Sequence, residues 1–91
     1  MSELNDLRNE INVIDSSILD LLQKRMNISI KVGNYKRENN INVLDNNREN
    51  NVYQRLYHLN EKAEEKLDEE FIKDLWNQIM NYSKKLQINE D

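Results

Sequence analysis

The chain has 91 residues, of which 37% are hydrophobic and 33% charged, with a formal net charge of -4, so it holds one domain. One Gly and no Pro exclude a turn-rich β-protein, whose turns would lack their usual residues. The absence of Cys excludes disulfides, a thiolate nucleophile and Cys-type zinc sites, and the single His excludes a multi-His metal site and leaves a Ser-His-Asp triad barely possible.

From Leu4 onward the apolar residues fall at Leu4, Leu7, Ile11, Ile14, Ile18 and Leu21, and the register continues through Arg25 to Ile28, Val32 and Tyr35. Steps alternating between three and four are the period of a helix seam that packs on another helix. Val13, Leu19, Leu22, Met26 and Ile30 widen the stripe. The spacing predicts one helix over about 2–38, in which Gly33 costs about 1 kcal/mol relative to Ala. Such a helix is roughly 55 Å long at 1.5 Å per residue. A compact chain of this length has a radius of gyration of about 12 Å. The helix outruns the globule, and a second copy of the chain is the simplest cover for its seam. A homodimer is expected.

The stretch ENNINV at 38–43 reads as a loop. Asp45 can cap a second helix over about 46–62, with Val52, Leu56 and Leu59 inward. Asp68 can cap a third over about 69–87, where Glu69 and Glu70 suit the positive end of the dipole and Lys84 and Lys85 the negative end. Ile72, Leu75, Trp76, Ile79, Tyr82 and Leu86 give its predicted stripe, and the tail INED is expected to fray. The fold class is all-α: three helices, one very long, in a single domain over 1–91.

The informative residues break the stripes. Arg25 takes a seam position between Leu21 and Ile28, and Arg8 and Lys36 lie one step off the same seam. A buried guanidinium without a partner is very costly. Arg25 therefore reaches water, pairs with an acid, or awaits an anionic ligand. Extending the inner face of the second helix upstream gives Asp45, Arg48 and Glu49; extending that of the third gives Ser83 and Gln87. Singly, each has an ordinary structural explanation: Asp45 as a cap, Arg48 and Glu49 as solvated charges, Arg25 as a register-setting polar residue. His58 reads as a surface residue and Trp76 as core. Converging, they would make a small desolvated site with several cations, two acids and a neutral amide.

Together the motifs L-R-x-x-I-x-x-I-D-x-x-I-L-x-L-L at 7–22, Arg25, V-G-x-x-K at 32–36, D-x-x-R-E at 45–49 and S-x-x-x-Q at 83–87 resemble those of the all-helical chorismate mutases. Their order and spacing cover nearly the whole chain. The resemblance implies an intertwined homodimer in which Arg8 is lent to the partner's site, while Arg25, Lys36, Asp45, Arg48, Glu49, Ser83 and Gln87 serve the home site. It implies conversion of chorismate to prephenate, a unimolecular Claisen rearrangement needing no cofactor and no metal. Arg8 and Arg25 would grip the two substrate carboxylates, and Ser83 would add a hydrogen bond to one. Lys36 and Gln87 would donate to the ether oxygen, and Glu49, with the backbone near Asp45, would bind the ring hydroxyl. Arg48 would organise Asp45, Glu49 and the substrate by ion pairing. Val32, Val52, Ile79 and Met80 would form apolar walls. Relatives often carry a Pro before the D-x-x-R-E motif, where this chain has Asn42 and Val43.

Two other readings stand beside this one. Isochorismate-pyruvate lyase is built on a similar helical dimer and also grips an anionic enolpyruvyl ether. A non-catalytic helical dimer would use the polar seam residues only to set register; several cations facing few seam acids favour an anionic ligand instead. The acidic balance points away from nucleic acid as a partner. No apolar run approaches a membrane span, and MSELNDLRNE has neither the basic start nor the apolar stretch of a signal peptide. A stand-alone cytoplasmic enzyme is therefore the expectation.

Overall fold

The computed structural model describes residues 2–88 and contains three helices: α1 (Glu3–Glu38), α2 (Asn46–Glu61) and α3 (Glu69–Ile88). The tail expected to fray lies, but for Ile88, outside the described residues. Among the described residues no helix is long and apolar enough to cross a membrane.

α1 begins at Ser2, whose backbone is extended and whose side-chain hydroxyl accepts the N–H of Asn5. It stops at a left-handed turn. Asn40 takes φ 55°, a region Asn tolerates better than most residues. The Ile41 N–H reaches the Lys36 carbonyl at 2.8 Å and the Asn40 N–H reaches Arg37. This pair of bonds is the Schellman pattern, with Asn in the place usually held by Gly. The turn sends the chain back toward α2, capped by the Asp45 side chain, which accepts the Arg48 N–H at 3.0 Å. Between α2 and α3 the Asn60 amide clamps the backbone of Leu67, donating to its carbonyl at 2.8 Å and accepting its N–H at 2.9 Å. α3 follows at once, with the Ile72 N–H bonded to the Asp68 carbonyl.

α3 is the hub. It packs against α1 and against α2, whereas α1 and α2 do not pack on each other. The buried core is small: Val52, Ile72, Ile79 and Met80, with the hydroxyls of Ser29 and Ser83 beside them. Gly33 lets α1 approach α3 closely, since a Cβ there would stand 2.7 Å from the Gln87 Cα. The buried face of α3 differs from the apolar stripe read in the sequence. Tyr82 is 53% exposed, and Met80 and Ser83 are buried instead. The helix is turned so that its polar residues face α1 and α2.

The chain is 57 Å along its longest axis, with a radius of gyration of 16.6 Å, well above the roughly 12 Å of a compact chain of this length. The excess is the N-terminal half of α1. Leu4, Leu7, Ile11, Ile14, Ile18 and Leu21 are each between 48% and 63% exposed.

Candidate functional site

A cleft of about 340 Å³ opens between α1 and α2, with α3 as its floor. From α1 come Arg25, Ser29, Val32 and Lys36, residues three or four apart and hence on one face of the helix. Burial, and secondarily the charge of Arg48, pull the Arg25 pKa below the ordinary arginine value. A guanidinium remains charged at any ordinary pH, so the shift marks an unmet demand for negative charge. Among the described residues Arg25 has no carboxylate within ion-pairing distance. Lys36 extends to the end of the cleft, where its ammonium donates to the Val43 carbonyl at 2.9 Å. That bond uses one of its three N–H groups.

α2 contributes Asp45, Arg48, Glu49 and Val52 from its cap and first two turns. The expected ion pairs of Arg48 with Asp45 and Glu49 are not formed among the described residues. Asp45 takes the backbone N–H of Arg48 rather than its guanidinium. Lys84 of α3 takes Glu49, with Nζ 2.9 Å from Oε2. Arg48 is thereby left facing the cleft alongside Arg25.

α3 supplies Met80, Ser83, Lys84 and Gln87. Ser83 is buried against Ser29, with the two hydroxyl oxygens 2.6 Å apart, and Gln87 donates from Nε2 to Ser83 Oγ at 3.3 Å. The Gln87 Oε1 is buried and has no hydrogen-bond partner among the described residues, an arrangement that costs on the order of 1–3 kcal/mol. A half turn of the amide would let Ser83 donate to Oε1 and free both amide N–H groups. The Arg37 guanidinium donates to the Gln87 carbonyl at 3.3 Å, which fastens the end of α3 to the end of α1.

The structure thus brings Arg25, Lys36, Asp45, Arg48, Glu49, Ser83 and Gln87 to one cleft. Arg8 is not among them. It lies on the exposed half of α1, seventeen residues and about 25 Å from Arg25 along the helix axis. Ile79, expected as a wall, faces an apolar groove on the other side of the α1–α3 pair, with Leu19, Met26, Ile30 and Leu86. Two polar lining residues, besides the apolar Ile28 and Val43, escape the sequence reading of the site. Ser29 lies one helical step beyond Arg25, and Lys84 is adjacent to Ser83; in each case the partner is on another helix. The lining side chains include no His and no Cys. Four cations against two carboxylates can hold a small anion with more than one negative group, and Lys36 and Gln87 can donate hydrogen bonds to uncharged acceptors between them.

The chorismate mutase type II family matches residues 7–88 of this chain. Among curated proteins, the bifunctional chorismate mutase/prephenate dehydratase of Aquifex aeolicus (strain VF5) is 34% identical over 63 residues, which are 69% of this chain and 17% of that protein. The protein of the same name from Buchnera aphidicola subsp. Acyrthosiphon pisum (strain APS) is 38% identical over 76 residues, 84% of this chain and 19% of that protein. The chain therefore spans under a fifth of the length of these relatives.

Proposed function

Because the chain belongs to the chorismate mutase type II family, we propose that it rearranges chorismate to prephenate, one C–O bond breaking as one C–C bond forms within a single molecule. The observation that carries this reading is the excess of cations in a half-enclosed cleft, with Arg25 and Arg48 lacking carboxylate partners among the described residues. Chorismate brings two carboxylates to such a site. Guanidinium forks match carboxylates in shape as well as charge, so Arg25 and Arg48 hold the anionic groups. Holding the flexible enolpyruvyl arm over the ring supplies part of the rate.

The rest comes from charge that develops on the ether oxygen as the C–O bond opens. Lys36 has two N–H groups beyond the one given to Val43. Gln87, turned so that Ser83 satisfies Oε1, presents its amide N–H groups. Both donate more strongly to an oxygen gaining negative charge than to a neutral ether, which is what lowers a barrier. Glu49 accepts the ring hydroxyl, with the backbone near Asp45 beside it. Val32, Val52 and Met80 exclude water from the reacting arm. Either hydroxyl of the Ser29–Ser83 pair can be the donor; with Ser29 donating, Ser83 keeps its one proton for Gln87 Oε1.

The reading includes a second copy of the chain. The apolar seam of α1 is bare over Leu4 to Leu21, and its continuation at Ile28 and Tyr35 is exposed as well. Burying a Leu or Ile side chain contributes roughly 1.5–3 kcal/mol, so pairing two such halves is strongly favoured. Arg8 lies on that bare half, too far to reach its own cleft, and in this reading it serves the partner's.

The test is the loss of chorismate absorbance on adding purified protein, with the product identified. Prephenate formation far above the uncatalysed rate is expected. A folded helical dimer that turns over no chorismate would leave the non-catalytic module as the better reading, with isochorismate as the next substrate.

A further inference from the structure

The ion pair between Lys84 and Glu49 has no part in the reading above. Glu49 stands in the first turn of α2, and Lys84 follows Ser83 on α3. Nζ and Oε2 are 2.9 Å apart, and the two side chains are only 28% and 27% exposed. Both line the cleft. A glutamate side chain has three rotatable bonds, and a charge-assisted hydrogen bond to one oxygen removes most of that freedom while leaving the other oxygen available. The pair also changes what the cleft offers an anion. Without Lys84, Glu49 would face the substrate as an unpaired negative charge, and the surplus of positive charge would fall from two to one.

Building on the mutase reading, we propose that Lys84 is a positioning residue. It holds Glu49 on the cleft wall with one oxygen free for the substrate's ring hydroxyl, and it offsets the carboxylate charge so that a dianion is admitted. Lys84 acts through Glu49 and does not itself touch the substrate.

Five proteins test this by steady-state kinetics with chorismate and by thermal melting: wild type, Lys84→Met, Lys84→Arg, Glu49→Gln and the Glu49→Gln/Lys84→Met double variant. Lys84→Met should raise KM about tenfold, a coupling typical of contacting charged groups, with a smaller change in kcat. Lys84→Arg should recover most of that loss. In the Glu49→Gln background the Lys84→Met change should alter KM by less than about twofold, because the group it serves is already neutral. A lowered melting temperature with an unchanged KM would reduce the pair to a brace between α2 and α3 and overturn the proposal. Effects on KM that multiply in the double variant would also overturn it, by placing Lys84 directly on the substrate. If Lys84→Met fails to fold, Lys84→Gln takes its place in the cycle. A folded wild type without turnover would overturn the mutase reading, and is seen before any substitution is made.

Discussion

Gln87 is the residue whose chemistry is most exposed to test. Its neutral amide donates hydrogen bonds at any ordinary pH. A glutamate in its place can donate only when protonated. The ordinary Glu pKa is about 4.3, and burial raises it, so Gln87→Glu should remain active in acid and lose activity as pH rises through that value. Initial rates from pH 4 to pH 8 check this, and an unchanged profile would remove Gln87 from the ether oxygen. Ser83 and Gln87 could be read from the chain because they lie four apart on one helix. Ser29 could not: its partner is 54 residues away, and an isolated serine leaves no period. Lys84 was legible only as a cation near the end of a helix, because its ion partner lies on α2. Polar contacts between helices leave no local signal.

At the scale of elements, the helix-making patterns were plain, whereas the rotation of α3 was not. Its apolar stripe includes Tyr82 and Leu86, yet the face buried within one chain is centred on Ile79, Met80 and Ser83. On the proposed dimer, the stripe records contacts to both chains, of which the single chain supplies only some. Gly33 sets how closely α3 approaches α1. By helix propensity alone, Gly33→Ala should stabilise α1 by about 1 kcal/mol. The new Cβ, however, would stand 2.7 Å from the Gln87 Cα and 3.0 Å from its carbonyl oxygen. Backbone cannot swing aside as a flexible side chain can, and overpacking of this kind costs about 1–3 kcal/mol. The clash outweighs the propensity gain. Gly33→Ala should lower the melting temperature and, by displacing Gln87, reduce kcat more than it raises KM. A raised melting temperature would show that α3 yields without cost.

The whole molecule presents an imbalance that one chain does not resolve. Among the described residues four form the buried apolar core, whereas eight large apolar side chains between Leu4 and Leu21 of α1 are about half exposed or more, and a further apolar groove lies along the opposite side of α1 and α3. The length of α1 was legible in the sequence because its period never breaks before the turn at Asn40. What covers it was legible only as a geometric mismatch, and on the proposed arrangement the covering residues belong to a second copy. On the proposed arrangement, a chain with Arg8→Ala keeps a sound cleft but lends no arginine, and a chain with Lys36→Ala has a defective cleft but still lends Arg8. Each homodimer should lose most of its activity. In a mixed dimer, one of the two clefts combines an intact Lys36 with an intact Arg8 from the other chain. Equilibrating the two variants by subunit exchange should therefore restore turnover toward one quarter of the wild-type level per site, the share of such clefts among all clefts at random pairing of equal amounts. Mixing with subunit exchange demonstrated, and with no recovery of turnover, would mean that Arg8 does not serve the partner's cleft and that the bare half of α1 has only a structural use.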